Sequence, residues 1–271
     1  MNTVSVLICV YKNDNPTHLK EALNSVFNQT TKPDQIVLVK DGPITNDLNN
    51  AISNFSKYEN FLVITLDKNY GLAKALNTGL LECTGEYIAR MDADDVCLNN
   101  RLHLQKSFLE SNPTVDVVGS SIIEIDSRGK STGKITHYPY THDECKTFFI
   151  ARPPLAHPSV MFRRSYFKKI SSFYNEHERF KFDEDSEIWM KGFLHGCIFA
   201  NIQEPLLKFR INEGFFNRRN GFKFAYSLLK NKLEINKALN YPFYSDILAV
   251  ARFFVYISPP SLKKLLYKHL R

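Results

Sequence analysis

Through the first half of the chain, short apolar runs alternate with stretches of helical spacing. Val4 to Val10 is apolar apart from Ser5 and reads as a core strand. Leu19, Ala22, Leu23, Val26 and Phe27 then recur at helical spacing, which predicts a helix with one apolar face and Thr17 as its cap. Gln35 to Val39 is a second strand, broken by Lys40-Asp41-Gly42-Pro43. A polar helix-like stretch follows, and Phe61 to Leu66 is a third apolar run. Gly71 to Leu81 reads as a helix and Glu86 to Met91 as the fourth strand. Leu98, Leu102, Gln105, Phe108 and Leu109 predict a helix that stops before Pro113, and Val115 to Ile125 is another strand. Strands alternating with crossover helices predict an α/β fold with a mostly parallel sheet. Beyond residue 126 the pattern loosens into polar turns and aromatic-rich pieces, until Phe182 to Leu194 returns to helical spacing.

In open α/β sheets, ligands gather at the carboxyl ends of strands, where loops and helix N-termini meet. Tyr11 and Lys12 follow the first strand, Asp41 the second, and Asp92 and Asp94 the fourth, so the pattern predicts one crevice. Asp92-Ala93-Asp94-Asp95 is the sharpest feature: carboxylates clustered at the end of a buried strand call for a hard cation, Mn²⁺ or Mg²⁺. The alternative is a strand-to-helix loop in which one Asp caps the next helix.

Composition narrows the picture only in part. A chain of 271 residues can bury one large α/β domain, with or without an appended tail. A formal charge of +7 fits nucleic acid, anionic lipid and diphosphate-bearing substrates equally. Five cysteines without a CxxC pair favour a reducing compartment, hence the cytoplasm. The chain starts straight into an apparent core strand, without a basic leader, and no apolar stretch approaches the roughly 20 residues of a spanning helix.

Several segments, in this order, resemble the family 2 glycosyltransferases. They are Ser5 to Tyr11, Val39-Lys40-Asp41-Gly42, Asn69 to Gly79, Gly85 to Asp95, His157 to Phe162 and Asp183 to Trp189. The resemblance runs from residue 4 to about 210. It implies a GT-A fold: a central sheet flanked by helices, with a Rossmann-like nucleotide-sugar half (1–125), an acceptor half (126–244) and a helical basic tail (245–271).

It also implies an inverting, metal-dependent transfer of a hexose, galactose or glucose, from a UDP-sugar. The roles follow motif by motif. Val10 and Tyr11 form a wall for the base, Asp41 accepts from uracil, Lys74 offsets phosphate charge, Asp92 holds the donor ribose or sugar, and Asp94 binds the cation with Asp92. In the second acidic run Asp185 is the base, with Glu184 beside it. Trp189 either lines the acceptor sugar or packs in the core. His157 either contacts a phosphate or satisfies a backbone carbonyl. Plainer readings stand beside these: Asp41 as a turn residue, Lys74 as a solvated helix lysine, and 183–185 as acids complementing a helix dipole. The resemblance breaks at Phe209-Arg210-Ile211-Asn212-Glu213, where many relatives carry a histidine able to complete the metal site. Arg210 and Arg218, flanking Gly214, suggest instead a basic loop over the donor diphosphate.

Residues 245–271 mix apolar and basic character, split at Pro259-Pro260. This fits either a segment lying on a membrane surface or a pair of helices packed on the domain. The expectation is an enzyme at the inner face of the cell membrane that acts on a sugar carried by a polyprenyl diphosphate. It would serve bacterial O-antigen or exopolysaccharide synthesis, with no nucleic-acid partner. A basic lipid- or nucleic-acid-binding module without catalysis leaves both acidic clusters unexplained. A nucleotidyltransferase would also use paired Asp and metal, but no glycine-rich phosphate loop follows the first strand.

Overall fold

A computed structural model describes residues 2–177, 183–211 and 221–258. Its first half follows the sequence pattern: β1 (Val4–Val10), α1 (Pro16–Phe27), β2 (Gln35–Lys40), α2 (Asn46–Ser53), β3 (Phe61–Thr65), α3 (Leu72–Glu82), β4 (Tyr87–Asp92), β5 (Val96–Cys97), α4 (Arg101–Ser111) and β6 (Val115–Ile125). The second half supplies β7 (Ser131–Thr136), α5 (His142–Phe149), β8 (Met161–Arg163), α6 (Ser165–Lys169), α7 (Glu184–Leu194), β9 (Ile198–Arg210), α8 (Phe222–Ala238) and α9 (Tyr244–Ile257).

The strands form one sheet in the order β3-β2-β1-β4-β8-β6-β9-β5, with β7 also on β6. The β3, β2, β1 and β4 strands are mutually parallel, as is the β6–β9 pair, and β8 joins β4 to β6 antiparallel on both sides. Strands from both halves of the chain thus share one sheet.

Period-2 alternation divides the strands between two cores. Val6, Ile8 and Val10 face the layer of α1, α2 and α4, packing with Leu23, Ile52 and Leu102. Leu7, Val37 and Val39 face the other layer, with Leu76 of α3, Phe149 of α5, Tyr166 of α6 and Trp189 of α7. In β4, Ala89 and Met91 belong to the first core and Ile88 to the second. Arg90 and Asp92 therefore share the side on which α7 packs.

The boundaries need some corrections. Asn15, not Thr17, caps α1: its Oδ1 accepts from the N–H groups of Thr17 (2.9 Å) and His18 (3.2 Å). Pro16, with fixed φ and no N–H to lose, takes the first helical position and moves the cap upstream. The short strands β5 and β8 carry too few residues to show a period, and β7 is largely exposed and polar. The long strand β9 hides its alternation behind Gln203, Glu204 and Pro205, where its pairing with β6 shifts register. The terminal helices begin upstream of the expected tail, since α8 packs along α9. Residues 259–271, including the Pro259-Pro260 split, lie outside the described residues.

Candidate active site

The carboxyl ends of β2, β1 and β4 lie side by side, and the chain leaving them carries Asp41, Tyr11 and Asp92. Asp41 is 5% exposed. Its N–H donates to Val10 O at 2.8 Å. Its Oδ1 accepts from Tyr70 N (2.7 Å), and its Oδ2 from Gly71 N and Asn69 Nδ2 (2.9 Å each). Gly42 beside it has φ +84°, and a Cβ there would come within 2.5 Å of Asn69 N. The Asp-Gly pair therefore lets the two loops meet, and Asp41 pins the turn that starts α3. A carboxylate offers about four acceptor positions, so one on Oδ1 is left for a base imide N–H.

Val10 is buried among the α1-side core residues, so its side chain gives no wall to a base. Tyr11 is half-buried, with its N–H held by Asp14 Oδ2 at 2.9 Å. Lys74 pairs with Glu176 at 3.5 Å. That contact belongs to a chain linking α3 to the segment before α7. Asn77 Nδ2 donates to Glu176 Oε1 and Tyr174 O, both at 2.8 Å, and Asn77 Oδ1 accepts from Tyr174 N.

At the end of β4, ligand oxygens of Asp92, Asp94 and Asp95 lie within 4.8 Å of one another. Asp92 is held by Arg90 at 2.5 Å. Asp95 does not cap α4; Asn100 stands there, without a side-chain cap bond. Asp95 is fully buried: Oδ1 accepts from Arg210 N at 2.8 Å, and Oδ2 is buried with no hydrogen-bond partner among the described residues. Burial, then the charge of Asp92, raises the pKa of Asp94, and the same causes together with Asp94 push Asp95 well above the carboxylate range. Three hard oxygen donors that repel one another, one of them orphaned, fit a divalent cation.

Arg210 has a different role from the one its sequence position suggested. It is 2% exposed, and Nε donates to Asp94 O (2.7 Å), Nη1 to Asp126 O (3.2 Å) and Ser127 O (3.3 Å), and Nη2 to Glu21 Oε2 (2.6 Å). A guanidinium committed to four acceptors is an anchor for the Asp94 backbone, not a mobile contact to a diphosphate. Arg218 lies outside the described residues.

The second acidic run opens α7. Asp185 Oδ1 accepts from Ser186 N at 2.9 Å. Burial, then Asp185, pushes the pKa of Glu184 up to about 8, and the charge of Asp92 adds to the rise. Arg90 acts in the opposite sense on Glu184, and it holds down the pKa of Tyr174 against the rise that burial causes. Arg90 thus stands between the two acidic runs, with Nε and Nη1 buried and unpartnered among the described residues.

Trp189 is fully buried, stacked on Phe162 and edge-on to His157, so no face of the indole is left for a sugar. The partner of His157 Nε2 is not a backbone carbonyl but Tyr174 Oη, at 2.7 Å. Burial and the Arg90 charge lower its pKa well below the usual histidine value, so it stays neutral. Arg90, Tyr174, Glu176 and Asn69 were not singled out from sequence. Two of them left a signal: Arg90 is a charged residue inside the apolar run Tyr87 to Met91, and Asn69 opens the 69–79 motif.

The sequence model described as Glycosyl transferase family 2 matches residues 5–171. The chain belongs to that family. It is therefore a glycosyltransferase, which sets aside the non-catalytic and nucleotidyltransferase alternatives. An Escherichia coli protein named UDP-Gal:alpha-D-GlcNAc-diphosphoundecaprenol beta-1,3-galactosyltransferase is 33% identical, covering 97% of this chain and 94% of its own. The amylovoran biosynthesis glycosyltransferase AmsE of Erwinia amylovora is 35% identical, covering 82% of each chain. Among solved structures, S. aureus TarS superposes with a TM-score of 0.66 at 18% identity; the match covers 94% of this chain and 43% of the longer TarS chain. At that identity the likeness speaks for the fold alone. It agrees with the α/β sheet and helical C-terminus of this family 2 glycosyltransferase.

Proposed function

We propose that this glycosyltransferase moves a hexose, galactose or glucose, from a UDP-sugar to a lipid-linked sugar in bacterial surface polysaccharide synthesis, with inversion at the anomeric carbon. One observation carries the reading: Asp92, with Arg90, lies on the face of β4 whose Ile88 shares a core with Ile188 and Trp189 of α7, so the acidic run that opens α7 stands on the same side of the sheet as the β4 cluster. A metal-type cluster and a base-type cluster so close belong to one crevice, the arrangement a displacement needs. The E. coli and E. amylovora relatives named above support the substrate class and the pathway.

Asp41 and the 69–71 turn it holds receive the uracil, and Lys74 faces the donor phosphates. Asp185 accepts the proton of the acceptor hydroxyl as that oxygen attacks the anomeric carbon opposite the leaving diphosphate. Glu184, which burial and the charge of Asp185 push toward its protonated form, is ill suited to accept a proton, and the role of base falls to Asp185. Asp92, Asp94 and Asp95 would hold a divalent cation, Mn²⁺ or Mg²⁺, which when bound would supply charge neutralisation for the departing UDP. Arg90 fixes the Asp92 rotamer, and Arg210 fixes the backbone at Asp94.

Among the described residues no helix is long and apolar enough to cross a membrane. On α8 and α9, Phe222, Ile247, Leu248, Val250 and Phe254 face outward. This supports a peripheral seat on the cytoplasmic face of the membrane, where a polyprenyl diphosphate acceptor resides. The two-half division, 1–125 for the nucleotide-sugar and 126–244 for the acceptor, is proposed in the functional sense: donor residues come from the first and the base from the second.

UDP release from a panel of UDP-sugars, with Mn²⁺, with Mg²⁺ and with EDTA, tests the reading. The expected result is metal-dependent release from one UDP-hexose. Absence of both turnover and UDP binding across the panel would contradict it.

A further inference from the structure

A cavity of about 90 Å³ lies between the start of α7 and the α8–α9 hairpin. Most of its wall is apolar, from Phe149, Leu228, Leu229 and Phe253. Three cations reach it nonetheless: Arg152, Lys232 and Arg252. Lys232 Nζ donates to Phe149 O at 2.5 Å and sits 4.8 Å over the Phe149 ring. The Arg152 guanidinium lies 4.7 Å over Phe148. The Arg252 guanidinium makes no hydrogen bond or ion pair among the described residues.

Counter-charge is scarce there. Asp183 is the one carboxylate in the lining, and burial together with the charges of Asp185 and Glu184 raises its pKa well above the usual range, so it favours its neutral form. Burial pushes the pKa of Lys232 down to about 8, and burial together with Arg152 lowers that of Arg252. Cations gathered in an apolar recess repel one another and are costly to bury unless an anion joins them. Guanidinium groups match the planar, two-oxygen edge of a phosphate. Since one water needs roughly 10–15 Å³ by the same measure, the cavity has room for a phosphate group.

We infer that this cavity is an anion site for the phosphate of the acceptor's lipid carrier, with Arg252 and Lys232 as its principal contacts and the apolar wall beside the first isoprene units. The inference rests on the lipid-linked acceptor reading above. It adds that the carrier's phosphate, not only the sugar, is recognised, and by a site separate from the carboxylate cluster that serves the donor. Asp183 lines the cavity and Asp185 follows two residues later on α7, so the cavity lies beside the second acidic run.

Binding to the full chain tests this, with UDP and Mn²⁺ present throughout to fill the donor site. The probes are farnesyl diphosphate, inorganic pyrophosphate, farnesol and phosphatidylglycerol vesicles. Farnesyl diphosphate is expected to bind wild type and to be displaced by pyrophosphate, with Arg252→Gln weakening it about tenfold, Arg252→Lys restoring part, and farnesol indifferent to the substitution. Thermal unfolding of each variant separates a lost contact from a lost fold, and Lys232→Met provides a second variant if Arg252→Gln unfolds. Equal affinity of wild type and folded variants, or no binding of farnesyl diphosphate by wild type, would overturn the inference. So would Arg252-dependent binding to the vesicles alone, which would assign the anion to a bulk lipid headgroup. UDP release by the same preparations is read separately. Arg252-dependent binding without turnover of any UDP-sugar would sink the transferase reading while leaving the anion site standing; turnover with Arg252-independent binding would do the reverse.

Discussion

The acidic runs at the end of β4 and at the start of α7 look alike in sequence and differ in what surrounds them. Asp92, Asp94 and Asp95 are braced by two buried arginines: Arg90 holds the Asp92 side chain, while Arg210 holds the Asp94 carbonyl with its guanidinium and the Asp95 side chain with its backbone N–H. The bracing makes three carboxylates converge with one oxygen left orphaned, a geometry that suits a metal. At Asp183 and Glu184 burial and mutual repulsion dominate and raise the pKa of both. The same residue type thus offers converging ligand oxygens at one end of the crevice and proton-holding carboxyls at the other.

The largest expected effect strikes the first cluster. Asp94→Asn should lower metal-dependent transfer about a hundredfold to a thousandfold and abolish the stabilisation that Mn²⁺ gives in a thermal melt. A variant that still gains thermal stability from Mn²⁺ would move the metal elsewhere. Next comes the brace: Arg210→Met should cost about 2–4 kcal/mol in urea unfolding, because it strips the Asp94 carbonyl of a buried donor and leaves Glu21 unpaired. A loss below 0.5 kcal/mol, roughly the size of an ordinary surface change, would deny Arg210 that role.

The second cluster makes a prediction of opposite sign to ordinary acid denaturation. Glu184 has a folded pKa of about 8, above its unfolded value. Its contribution is therefore full below the unfolded value near 4.3 and is lost as pH rises toward 8. The metal-free protein should melt at a lower temperature near pH 8 than near pH 5.5, and Glu184→Gln should flatten that slope. An unchanged slope in the variant would put the titration on other groups. The smallest effect belongs to Lys74, whose pair with Glu176 is half-exposed. Lys74→Met should move stability by less than about 1 kcal/mol while lowering UDP affinity severalfold. Unchanged UDP affinity would leave Lys74 as a strut to Glu176 alone.

The parallel half of the sheet was legible because each strand is an apolar run closed by a turn signal, and because 3.6-residue spacing marks α1, α3 and α4. The strands β7, β8 and β9 were not, since short or register-shifted strands carry no clean alternation. Motifs pointed to Asp92 and Asp94, which the fold brings together with Asp95, but the contacts that decide how a side chain is used are long-range. Arg210 reaches Asp94 from 116 residues away, and His157 meets Tyr174, which no local pattern announces. Burial likewise turned Trp189 and Val10 into core residues, because an apolar side chain beside a motif looks the same in sequence whether it faces ligand or core.

The central claim is that Asp185, across the crevice from the β4 cluster, takes the acceptor proton. The most direct measurement compares Asp185→Asn with wild type for UDP affinity in Mn²⁺ and for sugar transfer. The account predicts unchanged UDP affinity with transfer reduced by roughly a hundredfold or more. Transfer at the wild-type rate, or a parallel loss of UDP affinity, would contradict it.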